Sequence, residues 1–141
     1  GGPFYRADLV TEYVEDSVDL AGYLFDEAPS SDERAQVLHE VRALVDRAAG
    51  AGVEHMDLNA KNVLVERRVA RAPKRCDAHA RPLLLDLDRC HVHPPDSEID
   101  AGAMLARLRR SLRKHEAARG RVLAPEDWTI LGGKSEAGGG R

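Results

Sequence analysis

Two short runs of this chain carry side chains that could do chemistry together. One is His55-Met56-Asp57-Leu58-Asn59-Ala60-Lys61-Asn62, and the other is Leu83-Leu84-Leu85-Asp86-Leu87-Asp88. Their residue types suit phosphoryl transfer from a nucleotide such as ATP. That reaction asks a protein for an oriented nucleophile and for cations that neutralise phosphate charge. Asp57 can take the proton of a substrate hydroxyl and aim its oxygen at a γ-phosphate. Asn62 offers Mg²⁺ a neutral carbonyl oxygen without adding another repelling carboxylate, and Asp86 offers a hard anionic oxygen. His55 reads as a scaffold residue that hydrogen-bonds and orders the run, not as a base.

The elements that position these runs follow from periodicity and punctuation. Residues 8–14, rich in β-branched and aromatic types, predict a strand. Asp19 to Ala28 predicts a short helix with Leu20, Tyr23 and Leu24 on one face. Pro29-Ser30-Ser31 breaks it. Ser30 and Glu33 have capping-box spacing for a helix to about Ala49, with Val37, Leu38, Val41, Leu44, Val45 and Ala48 at helical spacing. Gly50 and Gly52 end that helix. Asn62 to Val65 and Pro82 to Asp86 predict two strands of a hairpin. Their connection, Arg67 to Arg81, is long, basic and expected to be mobile. Pro94-Pro95 marks a turn, and Asp96 or Ser97 is the expected cap of a last long helix to about Ala118. Its apolar positions are Ile99, Met104, Leu105, Leu108 and Leu112. A turn at Pro125 to Trp128 is placed to dock Trp128 and Leu131 on the body. The Gly-rich tail is expected to be disordered.

A chain of 141 residues is one domain or part of one, and 43% apolar residues suffice for a core. No stretch approaches the roughly 20 apolar residues that cross a bilayer. The chain opens Gly-Gly-Pro without a basic-then-apolar leader, so no secretory signal is visible. Cys76 and Cys90 do not make a disulfide framework, and a reducing cytosol fits. The net charge of −3 conceals an asymmetry. Residues 1–60 carry 4 basic and 13 acidic side chains, while residues 61–141 carry 17 basic and 11 acidic ones. Such a molecule can present one face to an anionic partner, although ordinary solvated surface explains the same numbers.

Three other groupings are open to two readings each. Arg107, Arg109, Arg110, Arg113 and Lys114 could face anionic lipid or a phosphorylated sugar, or be a solvated helix face. Cys76, His79, Cys90, His91 and His93 match no paired-ligand zinc spacing, and His91 and His93 suit a surface turn. Asp88 could assist metal or substrate, or pair with a nearby Arg.

The run from His55 to Asn62 fits H-x-D-x-x-x-x-N, and so resembles the catalytic loop of kinase-fold phosphotransferases. Thr11-Glu12-Tyr13-Val14 resembles the segment that links the two lobes of that fold. There the backbone pairs with adenine, which assigns the Glu12 carbonyl and the Val14 N–H to the nucleotide. The wider pattern is similar to the bacterial lipopolysaccharide kinases that act on 3-deoxy-D-manno-octulosonic acid (Kdo). His-x-Asp-Leu-Asn-Ala-x-Asn-Val-Leu and Leu-Leu-Asp-Leu-Asp-Arg carry the likeness. So do Phe4 to Leu9, the helix Met104 to Leu112, and Glu126-Asp127-Trp128. It covers most of residues 4–131. Asn59 belongs to this pattern, whereas protein kinases place Lys there.

The resemblance implies a two-lobed α+β, protein-kinase-like fold. Residues 1–18 would be the end of an N-terminal lobe and the linker, 19–131 the mainly helical C-terminal lobe, and 132–141 a disordered tail. It implies ATP-dependent phosphorylation of a Kdo hydroxyl, the 4-hydroxyl in known Kdo kinases, on Kdo linked to lipid A. It implies Mg²⁺ and work at the cytoplasmic face of the inner membrane. By motif match Asp57 is the base, Asn62 and Asp86 are the metal ligands, and no nucleic acid is involved. Three departures stand out. The Arg67–Arg81 connection is long, Leu87 stands where Phe is usual, and the Gly-rich loop and phosphate-binding Lys of the N-terminal lobe are absent. Lys61 and Lys74 cannot replace that Lys, since both follow the linker. The chain therefore reads as a C-terminal lobe that alone binds ATP weakly and turns over poorly. Two other readings are an aminoglycoside- or choline-type kinase and a non-catalytic lipid-binding remnant.

Overall fold

Helix formation at residues 31–50 starts with a capping box. The Glu33 N–H donates to Ser30 Oγ at 3.3 Å, and the Ser30 N–H donates back to Glu33 Oε2 at 3.0 Å. These bonds satisfy donors that a helix start otherwise leaves orphaned. The helix, α1 (Ser31–Gly50), buries Val37, Leu38, Val41, Val45 and Ala49 along one stripe. It stops where Gly52 turns into the left-handed region at φ 76°. The structure, a computed structural model, describes residues 13–67, 80–95 and 97–132.

Ahead of α1 lie β1 (Ser17–Asp19) and a π-helical turn, Gly22–Glu27. The Gly22 N–H is held by Asp19 Oδ1 at 2.8 Å. A Cβ on Gly22 would stand 2.7 Å from Val18 Cγ2, so only glycine lets the turn pack this close to β1. Of the strand expected over 8–14, residues 8–12 lie outside the described residues, and Tyr13 and Val14 are not in a strand. The chain bends first. Ser17 Oγ donates to the Val14 carbonyl at 2.8 Å and Asp16 takes φ 49°. Pairing begins only at Ser17.

After α1 the chain forms β2 (Val53–His55), the loop to Asn62, then β3 (Val63–Glu66) and β4 (Arg81–Leu84). The expected hairpin is present. β3 and β4 pair antiparallel with Val63 opposite Leu84 and Glu66 opposite Arg81. β1 joins on the other side of β3, giving the order β1-β3-β4. The connection over 68–79 lies outside the described residues. A 3₁₀ turn, Leu87–Arg89, leads into β5 (Cys90–Val92), which pairs antiparallel with β2 as a second sheet. His91 is therefore a strand residue facing Glu54 in register, and not part of a turn.

The last long helix, α2 (Ala101–Arg119), starts four residues later than its expected cap at Ser97; Asp96 lies outside the described residues. Asp100 takes the cap position, and the residues before it are not helical. Ile99 still packs against the core, from outside the helix. Met104, Leu105, Leu108 and Leu112 form the buried stripe of α2. α3 (Pro125–Ile130) docks as expected, with Trp128 and Leu131 buried. Asp127 anchors it. Its carboxylate takes the Arg34 Nε–H at 2.7 Å and the Ala124 N–H at 2.9 Å. The expected disordered tail lies, beyond Gly132, outside the described residues. Among the described residues no helix is long and apolar enough to cross a membrane.

Candidate active site

The loop between β2 and β3 divides its residues between anchoring and display. His55, Leu58 and Ala60 are buried, with Leu58 and Ala60 in the same core cluster as α1 and α2. Met56, Asp57 and Lys61 are exposed. Burying a leucine such as Leu58 contributes about 1.5–3 kcal/mol, so the loop is held down by the force that holds the core. α2 adds two polar struts. Ser111 Oγ accepts the Ala60 N–H at 3.1 Å, and the Met104 sulfur accepts the His55 N–H at 3.2 Å.

His55 joins this loop to the turn that carries Asp86. Its Nδ1 accepts the Asp57 N–H at 3.3 Å, so the ring proton sits on Nε2 and is donated to the Leu85 carbonyl at 2.9 Å. Two backbone bonds reinforce the join. The Leu85 N–H donates to the Asn62 carbonyl at 2.9 Å, and the Met56 N–H to the Arg89 carbonyl at 3.0 Å. The scaffold role read for His55 is thus the one it plays. One fully buried imidazole ties the residue before Asp86 to the amide of Asp57.

Asn59 is the hub of the loop itself. Its Nδ2 donates to the Asp57 carbonyl at 3.1 Å, and its Oδ1 accepts from the Lys61 N–H at 2.9 Å and the Asn62 N–H at 3.3 Å. Asn62 Nδ2 donates to the same Asp57 carbonyl at 3.1 Å. With its amide nitrogen engaged, Asn62 Oδ1 receives no hydrogen bond among the described residues. Sequence reasoning used Asn59 only to separate families. Its structural work had a signal, because Asn commonly bonds the backbone two residues ahead. Ser111 and Met104 carried no comparable signal, since their partners lie about 50 residues away in sequence.

Asp86 sits at φ 60°, ψ 49°. Asp is one of the few residues other than glycine that visit this left-handed region, at a cost of about 1–3 kcal/mol. Hydrogen bonding to the Asp88 carboxyl raises its proton affinity above the ordinary carboxylate range, with desolvation and the Asp88 charge adding to the effect. Among the described residues Asp88 forms no ion pair with an arginine, and its carboxyl is close enough to act on that of Asp86. The charge of Arg89 opposes the rise. Cys90, just beyond, is pushed up by burial and then by the same two aspartates. Met56, Leu85 and Leu87 are exposed apolar residues beside Asp57 and Asp86.

The structure brings Asp57, Asn62 and Asp86 onto one braced assembly. Val14 lies half-buried ahead of β1 and Glu12 lies outside the described residues, as do Cys76 and His79. Among the described residues no three His, Cys, Asp or Glu side chains gather into a metal-binding group. The five basic residues of α2 are not one free face. Arg109 Nη1 donates to the Leu131 carbonyl at 2.6 Å, and Arg113 lies 4.9 Å over the Trp128 ring. Arg107 stands 3.7 Å from Glu54. Arg110 and Lys114 are exposed.

The sequence matches the family model for the lipopolysaccharide kinase (Kdo/WaaP) family over residues 1–131. The chain belongs to the lipopolysaccharide kinase (Kdo/WaaP) family. Among its relatives, a 3-deoxy-D-manno-octulosonic acid kinase from Photobacterium damsela subsp. piscicida is 32% identical over 127 residues, covering 90% of this chain and 46% of the relative. A protein of the same name from Vibrio cholerae is 34% identical over 131 residues, covering 92% and 48%. The chain spans about half the length of these curated relatives. The solved structure of WaaP in complex with acyl carrier protein matches with a TM-score of 0.62 and 20% identity, covering 84% of this chain and 46% of that one. This likeness supports the kinase-like fold.

Proposed function

We propose that this chain is the catalytic half of an ATP-dependent kinase that phosphorylates a Kdo hydroxyl, the 4-hydroxyl, on lipid A-linked Kdo during lipopolysaccharide core biosynthesis. The observation that carries the reading is the His55 brace, which joins the Asp57 loop to the Asp86 turn. A merely structural loop has no need to leave a carboxylate and an amide oxygen uncommitted on one rigid unit that also carries Asp86. Family membership and relatives named as Kdo kinases support the acceptor.

In this reading Asp57 is the general base. Its exposed carboxylate makes no intramolecular hydrogen bond among the described residues, while its backbone is held at both N–H and carbonyl. It can therefore meet an acceptor hydroxyl without losing aim. Asn62 Oδ1 and Asp86, with Asp88 beside it, would hold Mg²⁺. The donor set fits, because Mg²⁺ takes few protein oxygens and fills its octahedron with water and phosphate. When bound, Mg²⁺ neutralises charge on the nucleotide phosphates. The Val14 N–H makes no hydrogen bond among the described residues and, with the Glu12 carbonyl, would pair with adenine. The site would work at the cytoplasmic face of the inner membrane, with Arg110 and Lys114 as the residues of α2 left to meet anionic lipid.

The test is transfer of labelled phosphate from Mg-ATP to Kdo-lipid A by the full-length native protein and by its Asp57→Ala form. Loss of a positioned base lowers kcat on the order of 10²–10⁴-fold. Folding stability should change little, since the side chain is exposed and makes no bond. Undiminished transfer by Asp57→Ala would remove the proposed mechanism.

A further inference from the structure

The carboxylate of Glu54 has two claimants. From β5, His93 Nε2 meets Glu54 Oε2 at 3.0 Å. A carboxylate only accepts, so Nε2 carries the proton of that bond. From α2, Arg107 Nη2 stands 3.7 Å from Glu54 Oε1, beyond hydrogen-bond reach. Arg107 Nη1 is buried and has no hydrogen-bond partner, the one such side-chain atom among the described residues. Folded proteins rarely leave a buried charged donor unpaired, because the group then keeps its full desolvation cost. Glu54 is the only carboxylate that pairs with Arg107 among the described residues. The guanidinium therefore has a partner close by that another residue holds.

Glu54 also sits where the two halves of the site are joined. β2 runs straight into Met56 and Asp57, and β5 leaves the turn that follows Asp86. Each of these strands has three residues. Their ladder is closed at one end by the Met56 N–H on the Arg89 carbonyl at 3.0 Å, and at the other by the His93 N–H on the Gly52 carbonyl at 2.8 Å. The bond from His93 to Glu54 is a side-chain clasp across the same two strands. A two-stranded ladder this short is marginal by itself, so the clasp matters to it. A charged imidazole holds a carboxylate more strongly than a neutral one, and imidazoles change charge between about pH 5 and 8. Arg107 keeps its charge throughout. Among the described residues the charged or titratable groups that meet His93 are Glu54, Arg107 through it, and His91, whose ring lies edge-on at 4.5 Å. Arg107 and a charged His91 repel a charged His93, and Glu54 attracts it.

We infer that His93 is a proton-controlled latch on the joined loops. Charged, it holds Glu54 and ties β5 to β2. Neutral, it yields the carboxylate to Arg107, which ties β2 to α2 instead and loosens the Asp86 turn from the Asp57 loop. The latch is measured without turnover and stands apart from the kinase reading. The test is native-state hydrogen exchange of the Met56 and His93 amides in the full-length protein at about pH 5.5 and about pH 8, corrected for intrinsic exchange. The step from a charge-assisted bond to a neutral one corresponds to about a tenfold effect, so protection of both amides should fall about tenfold from acid to base. His93→Gln keeps a neutral donor and should abolish the fall. Arg107→Met removes the rival and should shrink it. His91→Gln should leave it intact. A fall that persists in full in His93→Gln or Arg107→Met overturns the proposal, and so does its loss in His91→Gln, which would make His91 the titrating group. The unaltered protein gives a second measurement that needs no variant. Rotation about the Arg107 Cζ–Nε bond, read by nitrogen NMR, should be slow at the higher pH and fast at the lower. Equal rotation at both, or equal amide protection at both, overturns the latch.

Discussion

Replacing His55 should cost more stability than any other polar substitution in the loop, and its magnitude follows from its contacts. The side chain is fully buried. His55→Ala removes the bond from Nε2 to the Leu85 carbonyl and the bond from the Asp57 N–H to Nδ1. Each neutral bond contributes about 1 kcal/mol net, or about 2 kcal/mol together. The lost ring leaves a cavity whose cost, by comparison with large-to-Ala core changes, is about 2 kcal/mol or more. The expected total is about 4 kcal/mol. With a urea m-value of about 2 kcal/mol per molar, the unfolding midpoint should fall by about 2 M. His55→Leu restores most of the volume but neither bond, so it should retain about half the loss. The assay is urea unfolding of the full-length protein followed by Trp128 fluorescence. The brace would be refuted by a loss below about 1 kcal/mol for His55→Ala, or by full recovery in His55→Leu. The second outcome would mean that packing alone sets the loop.

Two further outcomes test the surrounding scaffold. Asn59→Ala removes bonds to the Asp57 carbonyl and from the Lys61 and Asn62 amides, so it should cost about 1–2 kcal/mol after discounting for exposure. Native-state hydrogen exchange should speed up at Lys61 and Asn62 while the core amides of α1 are unaffected. Ser30→Ala breaks the capping box of α1 and should cost about 1 kcal/mol at neutral pH by denaturant unfolding. Hydrogen bonds from Ser30 hold Glu33 below the ordinary carboxylate range. The folded state therefore binds this proton more weakly than the unfolded state. That contribution is fully present above the ordinary carboxylate range and is lost as pH falls through the lowered value. The gap between parent and Ser30→Ala should accordingly narrow in acid, and a gap that widens there would contradict the assignment.

Much of the site was legible because it is local. Asp57 and Asn62 lie in one loop, Asp86 follows one apolar strand, which ends at Leu84 and not at Asp86 as expected, and the Ser30/Glu33 box needs only a three-residue spacing. The α1 stripe and the β3–β4 hairpin were read from period and turn residues. The later start of α2 was not, because Ile99 keeps the helical spacing of the apolar stripe while packing from outside the helix. Nor was the β2–β5 pairing, since three-residue strands carry too little alternation to be seen and only partner geometry makes them a sheet.

What the chain determines by itself is the chemistry on offer. A carboxylate, an amide and a second carboxylate stand at fixed spacings and suggest the reaction, and the wider pattern over residues 1–131 assigns the family. Tertiary structure alone decided which of these groups are free to act. Folding spends His55 and Asn59 on bracing and sets Arg109 and Arg113 against α3. The outcomes for His55, Arg109 and Arg113 depend on partners far apart in sequence, whereas the bonds of Asn59 are local. A buried polar group must find a partner on folding, and an exposed one is left to a ligand.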